Sequence, residues 1–194
     1  MKRRLILVLF FVFCLAAVSA QQGSSLSWSM GLQNVRTGDL VSFSAPVQSW
    51  TGEQFRLIID TGTDCYCYVI IESPSGDEVG VLYAGEMKKG EAWYSPVMAL
   101  SPPRGSESLF VVVSREEQKT LAQRISAWRS NSGSAQRRAL MNEVFQVRSD
   151  ASKFKEAPEK PVLMGGASRG TPEKSGGVGF SGLNTYVKTI SIEH

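Results

Sequence analysis

The chain has 194 residues, and 42% of them are hydrophobic, which suits a folded domain with a buried core. Residues 1–20 hold three of the 21 basic side chains and none of the 18 acidic ones, so the remainder carries 18 charges of each sign. A formally neutral chain gives no support for nucleic-acid binding, which needs a net basic face.

The first 20 residues have the three parts of a secretory signal peptide. A basic start at 2–4 is followed by an apolar run at 5–17 and by a small-residue cleavage site at 18–20. The apolar run covers about 20 Å as a helix, which is too short for a hydrocarbon core of about 30 Å. The sequence therefore predicts an exported protein, periplasmic or extracellular, with no transmembrane segment after signal cleavage.

Residues 21–114 carry the pattern of β-strands. Four runs rich in aromatic and β-branched residues are predicted strands, at 55–59, 65–71, 79–83 and 109–113. The second run is almost continuously apolar, which is typical of a strand covered on both faces. Pro74 and Gly76 then supply turn residues, which predicts a hairpin between the second and third runs. Short strands separated by turns favour a sandwich or a partly open barrel.

The pattern changes to helical at Ser114. Ser114 and Glu117 fit a capping box, which predicts that a helix begins there. Apolar residues at helical spacing predict two helices within 115–148, separated by a break at 131–134. This segment holds seven basic and three acidic residues, whereas residues 21–114 hold five and ten. We interpret the two parts as solvated faces that attract one another.

Residues 149–182 are rich in Lys, Glu, Pro, Gly and Ser, a composition that predicts a long disordered loop. Residues 177–182 have the spacing of a dinucleotide-binding glycine motif. They precede a strand rather than a helix, so we interpret them as a flexible hinge. Period-two alternation predicts a C-terminal strand at about 183–193. The expected fold is one mainly β, α+β domain over 21–194: an antiparallel β-sandwich-like domain with a two-helix insertion before the last strand.

The cysteines offer little for catalysis or metal binding. Cys14 follows Phe13 inside the apolar run, where no lipid anchor is expected. Cys65 and Cys67 would lie on one face of a strand about 6.5 to 7 Å apart, beyond the usual disulfide separation. Buried free thiols are therefore expected, with an intermolecular or strained local disulfide as the alternative. A metal site would need further donors, and the sequence offers only His194 and scattered methionines.

The single histidine also gives no catalytic base. His194 is the last residue given, and we expect its backbone to be poorly ordered and its ring to be unsupported. A thiol in an apolar strand has a raised pKa, which disfavours thiolate chemistry. The sequence thus predicts no catalytic, cofactor-binding or metal-binding residue and no cofactor.

Carboxylates and aromatic residues remain as candidates. Two acidic pairs lie at predicted turns, namely Asp60 with Asp64 and Asp77 with Glu78. Paired carboxylates can work as acid and base, although such residues are ordinary at turns. Three aromatic residues are candidates for a sugar- or peptide-binding surface, namely Trp50, Trp93 and Tyr94.

Residues 55–114 resemble the bacterial family named domain of unknown function 4384. The matching features are Cys65-Tyr66-Cys67-Tyr68-Val69-Ile70, the turn at Pro74 and Gly76, Val81-Leu82-Tyr83, Gly90, Gly105-Ser106-Glu107-Ser108-Leu109 and Val111-Val112-Val113-Ser114. Ala84-Gly85 stands where such domains often have Pro-Asn. The resemblance implies a β-sandwich-like accessory module without established activity or site residues.

These observations lead to three hypotheses. The first is a non-catalytic binding or structural module of the bacterial cell envelope, whose partner is another protein or an envelope polymer. The second is an envelope hydrolase that uses carboxylates near Asp60 and Asp64. The third is a thiol or metal function at Cys65 and Cys67.

Overall fold

The computed structural model describes residues 25–151, 160–162, 177–182 and 184–194. In this part of the chain twelve strands and two helices are present. The strands are β1 (Leu26–Asn34), β2 (Leu40–Val41), β3 (Val47–Gln48), β4 (Gln54–Thr61), β5 (Cys65–Glu72), β6 (Val79–Met87), β7 (Ala92–Tyr94), β8 (Met98–Ala99), β9 (Ser106–Ser114), β10 (Lys160–Val162), β11 (Gly177–Gly182) and β12 (Thr185–Glu193). The helices α1 (Lys119–Ser130) and α2 (Ser134–Ala151) lie between β9 and β10.

The strands form two sheets, and the predicted mainly β, α+β fold is confirmed. The first sheet has the order β10-β11-β1-β4-β7, with β2 beside β1 and β8 beside β4. The second sheet has the order β3-β12-β9-β5-β6. The short contact between β3 and β12 is parallel, and the other strand pairs are antiparallel. The two sheets share one core, as the sheets of a β-sandwich do.

Alternating side chains build the core between the sheets. In β1, Trp28, Met30 and Leu32 are buried, whereas Ser27 and Ser29 are partly exposed. The neighbouring strand β4 contributes Leu57 and Ile59, which pair across the ladder with Leu32 and Met30. This period of two is what a strand requires when one face is buried.

The two helices cover the outer face of the second sheet. Tyr68 and Ile70 of β5, together with neighbours on β9, pack there against Leu121 of α1 and Val144 of α2. The central strands of this sheet are therefore buried on both faces, which explains and confirms the prediction from the nearly continuous apolar run in β5. The molecule has three layers: sheet, sheet and helices.

The predicted hairpin joins β5 to β6. The amide of Ser73 donates to the carbonyl oxygen of Glu78 at 3.0 Å, and Gly76 has a φ of 70°, which glycine adopts without strain. Asp77 at the turn lies 3.3 Å from the guanidinium of Arg137 in α2. Asp77 and Glu78 therefore lie in a turn that contacts the helical layer.

The predicted start of the first helix is wrong. Ser114 is the last residue of β9, pairs with Thr185 of β12 and is buried. Its hydroxyl lies 2.9 Å from the Thr185 hydroxyl and accepts from the side-chain amide of Gln118. Because the Ser114 hydroxyl is engaged by these two side chains, it does not cap the helix. The helix begins at Lys119, and its N-cap residue Gln118 makes no side-chain cap hydrogen bond.

The prediction of a flexible segment up to residue 182 is also wrong at its end. Residues 177–182 form β11 and pair with β1, and residues 160–162 form β10. Phe180 of β11 is buried, and its ring stacks on Trp28 with centroids 4.3 Å apart. The polar and glycine-rich composition of the segment gave no indication that Phe180 anchors it to β1. Among the described residues, three strands rather than one therefore follow the helices. Residues 152–159 and 163–176 of the predicted loop lie outside the described residues, as does residue 183, the first of the predicted C-terminal strand.

The predicted signal peptide at 1–20 also lies outside the described residues. In the part of the chain that is described, neither helix combines the length and the apolar character needed to span a bilayer.

Candidate functional site

Trp50 is the most exposed large hydrophobic side chain in the described part of the chain, at 56% of its surface. It lies on the turn between β3 and β4. The amide of Glu53 donates to the Trp50 carbonyl oxygen at 3.1 Å, and the amide of Gly52 donates to the Leu100 carbonyl oxygen at 2.8 Å. Gly52 has a φ of 92°, which favours glycine. The backbone thus fixes where the exposed indole stands.

A buried carboxylate supports the side chain beside this indole. The guanidinium of Arg36 lies over the Trp50 ring, 5.3 Å from its centroid, and 3.6 Å from the carboxylate of Glu53. Glu53 is buried and accepts hydrogen bonds from the Asn34 amide at 2.5 Å and the Ser49 hydroxyl at 2.6 Å. This network holds Arg36 against the tryptophan, a geometry in which a cation is attracted to the ring face.

His194 is ordered, and the prediction of a poorly ordered ring is wrong. Its side chain has 0% exposure. Its backbone exchanges two hydrogen bonds of 3.0 Å with Gly105, and its Nδ1 lies 3.2 Å from the Thr51 hydroxyl. Its Nε2 is 3.8 Å from the Glu107 carboxylate, and it has no hydrogen-bond partner among the described residues.

The position of His194 follows from strand alternation. Ile190 and Ile192 of β12 face the core, and an extended chain carries His194 to the same face. Glu107 precedes the buried Leu109 by two residues in β9 and faces the same way. The alternation could have been extended to residue 194 in the sequence. The contact with Thr51, which is 143 residues away, had no local signal.

Glu107 shares this enclosed environment. Burial raises the pKa of the Glu107 carboxyl, while the nearby His194 charge and a hydrogen bond from the Ser101 backbone act in the opposite direction. The carboxyl is thus less readily ionised than an exposed glutamate.

An open depression of about 380 Å³ adjoins the turn that carries Trp50. It is lined by Gln48, Ser49, Gly105, Ser106, Glu193 and His194. The Gln48 side-chain amide donates to the Glu193 carboxylate at 2.6 Å, and the Ser49 amide donates to the Glu193 carbonyl oxygen at 2.8 Å. Ser49, which precedes Trp50, lines the depression, and Thr51, which follows it, contacts the lining residue His194. We call Trp50, Arg36 and this depression the Trp50 site.

The carboxylates of the hydrolase hypothesis lie elsewhere. Asp60 and Asp64 are both exposed and do not line the depression beside Trp50. The Asp64 carboxylate accepts from the Lys89 amide at 2.8 Å and lies 3.6 Å from the ammonium of Lys88. The hydrogen bond from the Lys89 amide is the largest influence and lowers the pKa of Asp64; desolvation opposes it, and the charge of Lys88 contributes less in the lowering direction. Asp64 is thus held as a carboxylate at a strand end.

The two cysteines face the core between the sheets. Cys65 and Cys67 are free and buried. Burial raises the pKa of the Cys65 thiol to about 11, with smaller contributions from Asp64 and Glu91, and burial also raises that of Cys67. Among the described residues, no group of three or more histidine, cysteine or acidic side chains is placed to hold a metal ion.

The other candidate aromatic residues differ in exposure. Tyr94 of β7 is 46% exposed. Trp93 is partly buried and packs against Tyr83 with ring centroids 5.1 Å apart. Trp50 and Tyr94 are therefore accessible for binding, whereas Trp93 mainly supports the core.

A second cleft lies between α1 and the strands below it. It has a volume of about 170 Å³, and its lining includes Tyr66, Gly85, Glu117, Ser126 and Arg129. The sequence patterns gave no signal for this cleft, because it depends on how a helix crosses a sheet.

Comparisons with known proteins give no functional lead. No protein-family model matches this chain, and no curated protein matches it at a significant level. The resemblance of residues 55–114 to domain of unknown function 4384 therefore stays a prediction.

Proposed function

We propose that this protein is an exported, non-catalytic binding module of the bacterial cell envelope, and that the Trp50 site is its contact surface. Its partner would be another protein or an envelope polymer. The observation that carries the proposal is an exposed indole whose neighbouring guanidinium is paired with a buried carboxylate.

The chemistry of the Trp50 site suits recognition. Tryptophan and arginine are enriched among the residues that dominate binding energies, because they offer large, flat contact areas with polar edges. The hydrogen bonds from Asn34 and Ser49 to Glu53 hold the support in place before a ligand arrives. A pre-organised surface loses less conformational entropy on binding.

The enclosed groups favour binding over catalysis. The imidazole of His194 has 0% exposure, and the thiols of Cys65 and Cys67 have raised pKa values in the core. A general base must come within hydrogen-bond reach of its substrate, and a nucleophilic thiol must ionise. The hydrolase hypothesis instead predicts turnover that Asp60→Asn or Asp64→Asn abolishes.

Affinity capture from the protein's own envelope extract tests the proposal. The purified protein and its Trp50→Ala and Tyr94→Ala variants are immobilised in parallel and cross-linked lightly. Both variants remove an exposed aromatic ring, but Tyr94 lies on β7, outside the Trp50 site. Deleting the helices would be less informative, because it would expose the apolar outer face of the second sheet.

We expect a partner that the unmodified protein and Tyr94→Ala retain and Trp50→Ala loses. Equal retention by Trp50→Ala and the unmodified protein would contradict the proposal. Unfolding of each variant is followed by circular dichroism, so that loss of capture is not confused with loss of the fold.

A further inference from the structure

We infer that the ligand of the Trp50 site is a neutral glycan chain. This inference rests on the proposed function and names the chemical class of the partner. Two features of the site carry it: the exposed indole of Trp50, and a depression next to the turn that carries this indole, lined by polar residues and glycine.

The indole matches one side of a sugar ring. Pyranose rings present a face of C–H groups with hydroxyls around the edge, and an aromatic ring offers a flat apolar surface of similar width. Trp50 is 56% exposed and is held on a turn that backbone hydrogen bonds fix at both ends. Sugar stacking needs such a rigid, accessible ring.

The depression offers hydrogen-bonding groups to the hydroxyls of a sugar. Amide, hydroxyl and carboxylate groups from Gln48, Ser106 and Glu193 line it. One N–H of the Gln48 amide binds Glu193, and an amide also carries a second N–H and a carbonyl oxygen. The volume of about 380 Å³ lies within the range of small-ligand sites, roughly 300 to 1,000 Å³.

The charges favour a neutral chain over an acidic one. Glu193 is the acidic side chain that lines the depression, and Glu107 lies behind His194. The positive charge of Arg36 faces the buried carboxylate of Glu53. A polyanion would meet carboxylates that its charge repels and a guanidinium whose charge is already balanced.

A peptide ligand fits the site less well. Peptides bind either by adding a strand to a sheet edge or by inserting apolar side chains into pockets. The edge strand at this end, β3, has only two residues, and the lining of the depression contains no aliphatic side chain among the described residues. The glycan is therefore the occupant that the surface favours.

Isothermal titration calorimetry with defined sugars tests the inference. The purified protein is titrated with maltohexaose, cellohexaose and hexa-N-acetylchitohexaose up to about 10 mM, a range that detects weak binding. An acidic oligogalacturonate serves as the charged comparison. We expect at least one neutral oligosaccharide to bind. Trp50→Ala should weaken that binding at least about tenfold, whereas Tyr94→Ala leaves it unchanged.

A second variant keeps the test independent of the indole. Gln48→Met removes the amide of the depression but keeps a side chain of similar length, and it should also weaken binding severalfold. Binding by none of the neutral sugars, binding only by the acidic one, or binding that survives Trp50→Ala would each overturn the inference. If Trp50-dependent capture from envelopes yields a protein while no sugar binds, the glycan inference fails and the proposed function stands.

Discussion

At the scale of single residues, a buried carboxyl group, that of Glu53, and a partly buried one, that of Glu107, organise one end of the sandwich in different ways. Glu53 accepts two hydrogen bonds and faces Arg36, so its charge is well compensated although it is buried. Glu107 has the imidazole of His194 at 3.8 Å and a backbone hydrogen bond from Ser101. The first group supports the binding surface, and the second lies in an environment that disfavours its charge.

The raised pKa of Glu107 predicts a pH dependence of stability. Because the folded state favours the protonated carboxyl, Glu107 contributes stability below the unfolded pKa of 4.5, and this contribution is lost as the pH rises through the folded pKa. The unmodified protein should therefore lose stability relative to Glu107→Gln as the pH rises above about 4.5. The measurement is the free energy of unfolding in urea at several pH values. Glu116→Gln, at an exposed position, is the control, and an equal pH trend in both comparisons would contradict the prediction.

The sequence predicted these residues only in part. Trp50 was a candidate because tryptophan is a common binding residue, but its partner Arg36 is 14 positions away and no local pattern joins them. His194 was expected to be poorly ordered because no following residue of the given sequence holds its ring in place. Its two hydrogen bonds with Gly105 extend the ladder by one residue, and only the three-dimensional register reveals this.

At the scale of elements, strands made of an uninterrupted run of apolar residues could be predicted from the sequence. Strands that mix glycine and polar residues with apolar ones could not. The β-branched runs of β5 and β9 dictate buried strands whatever surrounds them. β11 has three glycines and one serine among six residues, and this composition does not indicate a strand. Its register with β1 places Phe180 opposite Trp28, and this pairing supplies the burial that the local sequence lacks.

The anchoring role of β11 predicts a large effect of one substitution. Phe180→Ala removes a buried ring that stacks on Trp28 and contacts Tyr186, so we expect a loss of about 3 to 5 kcal/mol in the free energy of unfolding. Ser181→Ala, at the exposed neighbouring position, should change it by less than about 0.5 kcal/mol. Urea denaturation measures both. Tolerance of Phe180→Ala at the level of Ser181→Ala would favour the flexible hinge instead.

At the scale of the whole molecule, the three layers separate the core from the surface available for binding. The helices cover one face of the second sheet, and the first sheet covers the other. The sequence predicted this mainly β fold and its helical insertion, because both follow from hydrophobic periodicity. It left open which end of the sandwich carries a site, since that depends on how distant turns meet.

The same layering predicts that the thiols are inaccessible. Cys65 and Cys67 face the core between the sheets, and burial raises the pKa of Cys65 to about 11. In the native protein a disulfide reagent such as dithionitrobenzoate should therefore react with them far more slowly than after denaturation in guanidinium. Rapid reaction of the native protein would support the thiol hypothesis and contradict the buried placement.

The central claim is that the Trp50 site is where this molecule binds its partner. The most direct measurement is the dissociation constant of the captured partner for the unmodified protein and for Trp50→Ala, with Tyr94→Ala as the matched control. The account predicts that Trp50→Ala weakens binding at least about tenfold while Tyr94→Ala leaves it unchanged. Equal dissociation constants for the unmodified protein and a folded Trp50→Ala variant would contradict it.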